Sequence, residues 1–152
     1  MAALAEGLFV NLTNATIVDG DIFITSVTPP SSTNAEGSMT VSGSGAGFSA
    51  SGDQITLRPT AQQQYPVIYN LALNLAEGVG LSFAMPVGQL SIIQNGDEQS
   101  GFLLNSPMLN IYHDTQTSPP LPFTYNLALQ FSNGTTTFWV GDPTIVFEPP
   151  EG

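Results

Sequence analysis

The strongest constraint on the fold is a strict alternation of residue types near the C-terminus. Five apolar residues alternate there with five residues that are polar or small: Phe123, Tyr125, Leu127, Leu129 and Phe131 against Thr124, Asn126, Ala128, Gln130 and Ser132. Successive side chains of a β-strand point to opposite faces, so this period of two predicts a strand with one buried face. Asn133-Gly134 favours a two-residue type I′ turn, and Thr135–Val140 then runs back as the second strand of a hairpin.

Strand-like segments continue along the rest of the chain, and no segment shows a convincing helical period. Val67, Tyr69, Leu71 and Leu73 repeat the period of two. Further strands are predicted at Gly7–Leu12, Asp21–Val27, Ser38–Val41, Gln54–Arg58, Val79–Met85, Gln89–Ile93, Phe102–Leu104, Met108–Tyr112 and Thr144–Phe147. The glycine-rich stretch Ser42–Gly47 is predicted as a loop between strands.

Many short strands without intervening helices are typical of an antiparallel sandwich or barrel. The chain has 152 residues, of which 41% are hydrophobic, enough for one core. We therefore expect one domain over residues 1–152: an all-β, antiparallel β-sandwich of the jelly-roll or immunoglobulin-like type, with a barrel as the alternative.

The charge balance excludes several classes of partner. Twelve acids face a single base, Arg58, and the net charge is -11. Nucleic-acid binding needs several Lys or Arg contacts to phosphates, and docking on anionic lipid needs a basic patch, so neither partner is expected. No apolar stretch approaches the roughly 18 residues of a membrane-spanning helix, so membrane insertion is not expected either. The N-terminus lacks a signal-peptide pattern, which predicts a cytoplasmic protein as written, with release or non-classical export as the alternative.

No motif in the chain indicates catalysis. His113 is the only histidine, and its neighbour Asp114 would point to the opposite face of a strand, so the two are badly placed to act together. A nucleophile-elbow pattern is absent, as are cysteines, and one histidine cannot complete a zinc site. The sequence therefore predicts a protein that is not an enzyme, with His113 at a strand end.

Two acid-rich segments make calcium the one cofactor that the sequence leaves open. Asp19-Gly20-Asp21 and Asn95-Gly96-Asp97-Glu98 are predicted as turns, and calcium prefers carboxylate and carbonyl oxygens. The candidate metal ligands are Asp19, Asp21, Asp97 and Glu98. The alternative is that Asp and Asn occupy these turns because their side chains bond to their own backbone.

Candidate ligand-binding residues are Arg58, Trp139, Tyr112 and His113. A lone guanidinium among many acids is expected to pair with a carboxylate, here at a strand end before Pro59; the alternative is that Arg58 anchors the polar group of a small ligand. Phe138 and Trp139 are adjacent on a strand, so one of them should lie on the outer face. An exposed aromatic ring among Asn, Gln and Thr suits a sugar or another protein.

Two segments resemble the bacterial inclusion-body protein family of the AidA/PixA type. Residues 138–145, Phe-Trp-Val-Gly-Asp-Pro-Thr-Ile, are similar to that family's closing aromatic-rich segment with Asp-Pro-x-Ile. Residues 45–55 are similar to its glycine-rich strand leading into Gly-Asp-x-Ile. The resemblance implies a compact β-sandwich without known catalysis that accumulates as dense inclusions, and it carries over no functional site.

We therefore expect a non-enzymatic protein that associates with itself, as a homo-oligomer or in inclusions. A surface with few charges offers little like-charge repulsion, and β edges without lysine lack a common guard against edge-to-edge pairing. One alternative is a carbohydrate-binding lectin, assisted by calcium, with glycans as partners. A further alternative is a virion decoration protein.

Overall fold

The structure is a computed structural model that describes residues 16–60, 63, 66–94, 97–113, 123–141 and 143–148, with the backbone alone for residues 94, 97–100, 113 and 123. The predicted strand Gly7–Leu12 lies outside the described residues. Within them the chain forms strands β1 (Thr16–Thr28), β2 (Ser38–Gly45), β3 (Phe48–Gly52), β4 (Gln54–Leu57), β5 (Val67–Leu75), β6 (Ser82–Gln94), β7 (Asp97–Leu104), β8 (Met108–His113), β9 (Phe123–Ser132), β10 (Thr137–Val140) and β11 (Thr144–Phe147).

These strands belong to one sheet, in the order β7-β6-β9-β11-β4-β3-β2-β1-β5-β8, with β10 paired to β9. The sheet curls until it is nearly closed into a barrel. The all-β prediction is confirmed, and of its two architectures the continuous path of one sheet corresponds to the barrel.

The sheet departs from the predicted antiparallel pairing at two places. Eight of the ten strand pairings are antiparallel, whereas β1 with β5 and β4 with β11 are parallel. Parallel neighbours need a long crossover connection. Here β2 to β4 supply it for the first pair and β5 to β10 for the second, so both pairs join segments that are distant in sequence.

Alternation in the sequence decides which face lines the barrel interior. In β5, Val67, Tyr69 and Leu71 are fully buried, while Ile68 and Asn70 between them are partly exposed. The buried apolar residues of all the strands form one continuous cluster. Burial of a large apolar side chain contributes about 1.5–3 kcal/mol relative to leaving it exposed, so this interior is the main source of stability.

One long strand replaces two predicted ones. Val79–Met85 and Gln89–Ile93 were expected to be separate, but β6 runs without interruption from Ser82 to Gln94. Its register against β9 shifts between Phe83 and Gly88, so the strand bulges there and then resumes its pairing. Pro86 lies in the bulge, where its missing N–H leaves no gap in the ladder.

The predicted hairpin of β9 and β10 is present, but its turn is wider than expected. Ser132 pairs with Thr137, so four residues, 133–136, connect the strands instead of two. The Asn133 side-chain oxygen accepts hydrogen bonds from the backbone N–H groups of Thr135 and Thr136, at 2.9 Å each. This side-chain closure stabilises a longer loop than the Asn-Gly pair alone predicts.

The glycines of β1 and β2 make room for one aromatic ring. A Cβ atom on either Gly20 or Gly45 would overlap the ring of Phe48, which is buried. Residues 42–45 pair with β3 and continue β2 as a strand, so the predicted loop at Ser42–Gly47 is wrong there and is confirmed only for the turn at Ala46 and Gly47. Asp19-Gly20-Asp21 likewise pairs with β5 within β1 and does not form the predicted turn.

We expect Gly20→Ala to lower the free energy of unfolding by about 1–3 kcal/mol, because the added methyl group must displace the Phe48 ring. The atoms in the way are Cε1 and Cζ of that ring, which leucine lacks. The loss should therefore be smaller when Gly20→Ala is made in a Phe48→Leu background. Urea unfolding of the two single variants and the double variant measures this coupling, and strictly additive effects would contradict it.

Because of Tyr125, we expect the free energy of unfolding to depend on pH in the alkaline range. Its ring lies 5.6 Å from that of Phe147, centroid to centroid, and burial raises the pKa of its phenol above the ordinary value of about 10. The unfolded chain therefore loses this proton at a lower pH than the folded chain. The stabilisation is complete below pH about 10 and is lost as pH rises further. Urea unfolding between pH 8 and 11 should show a steeper loss for the natural chain than for Tyr125→Phe; equal slopes would contradict this.

Candidate functional site

Arg58 and Glu148 are brought together by the parallel pairing of β4 and β11. Leu57, the last residue of β4, pairs with Phe147, the last residue of β11, and the Glu148 N–H donates to the Leu57 carbonyl oxygen at 3.0 Å. Arg58 directly follows β4 and Glu148 directly follows β11, so the two residues lie side by side. Their side chains approach to 3.7 Å between Arg58 Nη1 and Glu148 Oε2. The predicted pairing of Arg58 with a carboxylate is confirmed.

This ion pair forms one side of a cleft on the outer face of the barrel. Ser49 of β3 and Thr56 of β4 are paired neighbours whose side chains face away from the buried Ala50 and Leu57. The turn between β2 and β3 and the residue Thr60 complete the walls. The cleft has a volume of about 430 Å³ and is lined by Gly45, Ala46, Gly47, Phe48, Ser49, Thr56, Arg58, Thr60 and Glu148.

Hydrogen bonds fix the walls of the cleft to each other. The Gln63 side chain donates from Nε2 to the Ala46 carbonyl oxygen and accepts from the Thr60 N–H, both at 3.0 Å. The Arg58 N–H donates to the Gly47 carbonyl oxygen at 2.8 Å. A Cβ on Gly47 would lie only 2.9 Å from Gln63 Oε1, and this residue has a φ of +102°, so glycine is needed here. Hydrogen bonds therefore hold the turn between β2 and β3, which forms one wall of the cleft, in a fixed position.

The ion pair gives the cleft both hydrogen-bond donors and hydrogen-bond acceptors, and its two charges cancel. Arg58 is the only Lys or Arg in the chain, and both side chains are a little under half exposed, at 45% and 44%. A guanidinium carries only N–H donors and a carboxylate only acceptor oxygens. The three hydroxyl groups of Ser49, Thr56 and Thr60 can act as either. The cleft is thus suited to a ligand that both donates and accepts hydrogen bonds.

Trp139 lies elsewhere, toward the opposite end of the barrel. It is on the outer face of β10, 37% exposed, and pairs with Gln130 of β9. Phe138 turns inward and its ring lies 5.9 Å from that of Phe131, centroid to centroid. The expectation that one of the two adjacent aromatics faces outward is confirmed. The side-chain oxygen of Gln130, its pairing partner, is buried and has no hydrogen-bond partner among the described residues.

Tyr112 and His113 are at the edge of the sheet. Tyr112 is exposed and pairs with Ile68 of β5, while His113 ends β8, as predicted for a strand-end residue. Asp114 lies outside the described residues, so the prediction that it is badly placed to act with His113 stays untested. In the strand order, four strands separate β8 from β4, so Arg58, Trp139 and Tyr112 do not form one site.

The predicted metal ligands divide into two groups. Asp19 and Asp21 are exposed on β1; Asp19 pairs with Asn70, and Asp21 Oδ1 accepts a hydrogen bond of 3.2 Å from Asn74 Nδ2. Calcium takes about six to eight oxygen ligands. Within the described part of the chain, no three acidic or histidine side chains come together to hold a metal. Asp97 and Glu98 begin β7, where the structure describes the backbone alone.

A second surface arises where the sheet stops. The strand order ends at β7 on one side and β8 on the other, and these two consecutive strands have no pairing with each other. We call this gap the seam: the edges of β7 and β8 that pair with no other described strand, with the exposed apolar side chains of Phe102, Leu103, Met108 and Tyr112. An edge strand presents backbone N–H and C=O groups that can pair with another chain.

No family model matches the chain, and no significant match is found among curated proteins or solved structures. The resemblance to the inclusion-body protein family therefore stays a prediction. Residues 16–60, 66–94 and the other described segments contain no helix capable of crossing a membrane.

Sequence reasoning singled out Arg58 but missed the cleft around it. Ser49, Thr60 and the glycines of the β2–β3 turn carry no signal of their own, because Ser, Thr and Gly are abundant throughout the chain. The only feature of the sequence that indicated the position of the cleft was the glycine-rich segment before Phe48. The pairing that places residue 148 beside residue 58 joins segments separated by most of the chain.

We expect Glu148→Gln to change the free energy of unfolding by less than about 1 kcal/mol, since exposed ion pairs contribute about 0–1 kcal/mol. Glutamine keeps the shape of the side chain and removes its charge. Urea unfolding at neutral pH measures the difference, with Asp53→Asn as a control that removes one charge away from the cleft. A loss of several kcal/mol specific to Glu148→Gln would show that the pair is instead an essential part of the fold.

Proposed function

We propose that this chain is a non-enzymatic β-protein that associates with further copies of itself through the seam. The observation that carries the proposal is the position of Phe102. It pairs with Leu90, which is fully buried, and paired residues of neighbouring strands share a face of the sheet. Phe102 therefore belongs to the inner face, yet it is 50% exposed, and none of the eleven described strands covers it across the seam.

The outer face of the same strand adds to this apolar surface. Leu103 is 55% exposed, and Met108 and Tyr112 are exposed on the outer face of β8. Covering such side chains is favourable by about 25 cal/mol for each Å² of apolar area removed from water. The free backbone groups of an edge strand add hydrogen bonds that continue the ladder into the partner.

Charge favours a second copy as the partner at this place. From residue 99 to residue 112 the chain carries no charged residue, although its net charge is -11. Two such molecules can therefore meet over residues 99–112 of the seam without bringing like charges into contact, if Asp97 and Glu98 at the start of β7 lie outside the contact, while the remaining charges repel each other at longer range. Salt shortens that range to a Debye length of about 8 Å at physiological ionic strength and so favours assembly.

Leu103→Lys should weaken association by at least about tenfold, because a lysine on an edge strand blocks edge-to-edge contact and must be desolvated in the interface. Phe23→Lys is the matched control: Phe23 is also exposed, at 43%, but it lies on β1, which has neighbours on both sides. Both variants change the net charge equally. Sedimentation velocity over a range of protein concentrations, at low and high salt, gives the association constants.

The expected result is association of the natural chain that strengthens with salt, is weakened by Leu103→Lys and is unchanged by Phe23→Lys. A natural chain that remains monomeric at high concentration and high salt would refute the proposal. Equal effects of the two lysine variants would also refute the assignment to the seam.

A further inference from the structure

We infer that the cleft between Arg58 and Glu148 is a binding site for a neutral saccharide. The inference goes beyond the proposed self-association and does not depend on it, because the cleft and the seam share no residue. It rests on the shape of the cleft, on the kinds of hydrogen-bonding group that line it and on the charge of the whole molecule.

The cleft has the size of a small-ligand site and is already shaped. Its volume of about 430 Å³ is at the lower end of the range of about 300–1,000 Å³ for ligand pockets. Gln63 ties the Ala46 carbonyl to the Thr60 N–H, so two walls are held at a fixed separation. Phe48 packs beneath the turn, against Gly20 and Gly45. A ligand would therefore find the walls in place and would have little ordering cost to offset.

The lining selects a ligand that is polar but uncharged. An anion would find Arg58 already paired with Glu148 at 3.7 Å, in a molecule whose net charge of -11 repels it. A cation would be attracted by Glu148 but repelled by the guanidinium beside it. A neutral ligand with several hydroxyl groups meets neither penalty.

Sugar hydroxyl groups match the groups on the cleft walls. A hydroxyl both donates and accepts, so vicinal hydroxyls can donate to the Glu148 carboxylate while accepting from the Arg58 guanidinium. Ser49, Thr56 and Thr60 surround this pair with groups of the same kind. Hydrogen bonds to charged partners are stronger than those between neutral groups, and this pair provides both a charged donor and a charged acceptor.

The composition of the chain gives this site its own reporter. Arg58 is the only arginine and Trp139 the only tryptophan, so a nitrogen-15 correlation spectrum holds one arginine Nε–H signal and one indole Nε1–H signal. The experiment titrates labelled protein with glucose, galactose, mannose and N-acetylglucosamine, up to millimolar concentrations. Glucuronate and glucosamine provide an anionic and a cationic ring of similar shape. The backbone signals of Gly47 and Ser49 are second reporters of the cleft.

The expected result is a saturable shift of the Arg58, Gly47 and Ser49 signals with at least one neutral sugar, and a weaker response to its charged counterpart. Ser49→Ala should lower the affinity for that sugar, because it removes a hydroxyl from the cleft wall. Ser51→Ala is the matched control, since Ser51 is the next outward-facing residue on β3 and does not line the cleft.

Glu148→Gln tests the role of charge and keeps the shape of the cleft. It should lower the affinity for the neutral sugar about tenfold or more, the loss typical of removing a hydrogen bond to a charged group. It should raise the affinity for glucuronate, since the variant removes the Glu148 carboxylate charge that repels an anion in the cleft. A well-dispersed spectrum shows that each variant is folded.

Three outcomes would overturn the inference. No saturable shift with any neutral sugar would remove the site. A response to glucuronate alone would show that the cleft binds anions. A shift of the Trp139 signal without any shift of the cleft signals would place sugar binding on β10 instead. None of these outcomes alters the association measured by sedimentation, so the two proposals fail separately.

Discussion

The burial of one face of a single curled sheet is the constraint on which the rest of the structure depends. A strand with a period of two has to bury its apolar face, and here each described strand buries that face in one shared interior. This requirement also fixes what faces outward: Ser49, Thr56 and Arg58 line a cleft because Ala50, Ile55 and Leu57 occupy the interior. Where the curl stops short of closure, Phe102 keeps an inner-face position without a full cover.

The two parallel pairings determine which polar side chains come together on the outer face of the sheet. Antiparallel neighbours joined by short turns bring together residues close in sequence, whereas parallel neighbours join residues that are far apart. The pairing of β4 with β11 sets Glu148 beside Arg58, and the pairing of β1 with β5 sets Asn70 and Asn74 beside the acids of β1. The Arg58–Glu148 ion pair and the Asp21–Asn74 hydrogen bond therefore both arise from parallel pairing of strands that are distant in sequence.

Local patterns predicted much of the fold, and what they missed depended on distant partners. The bounds of β9 and β11 agree with the alternation of Phe123–Ser132 and Thr144–Phe147, because that signal is contained within each strand. The predictions at Gly20 and Gly45 were wrong because glycine in a sequence usually indicates a turn. Both glycines instead lie within strands, where a Cβ atom would overlap the ring of Phe48. For the candidate site, the sequence predicted that Arg58 would pair with an acid, but neither which acid nor the cleft around them, since both depend on the pairing of β4 with β11.

A shortage of charge makes the two proposed surfaces compatible. The seam and the cleft both rely on uncharged or internally neutralised groups, so neither needs any cation beyond Arg58, the only Lys or Arg of this chain. They are also well separated: β6 and β9 lie between β7 and β11 on one side, and β5, β1 and β2 lie between β8 and β3 on the other. Association through the seam would leave each cleft open to solvent. An assembly of such copies would then present several sugar sites at once, and linked sites hold a multivalent glycan more tightly than one site alone.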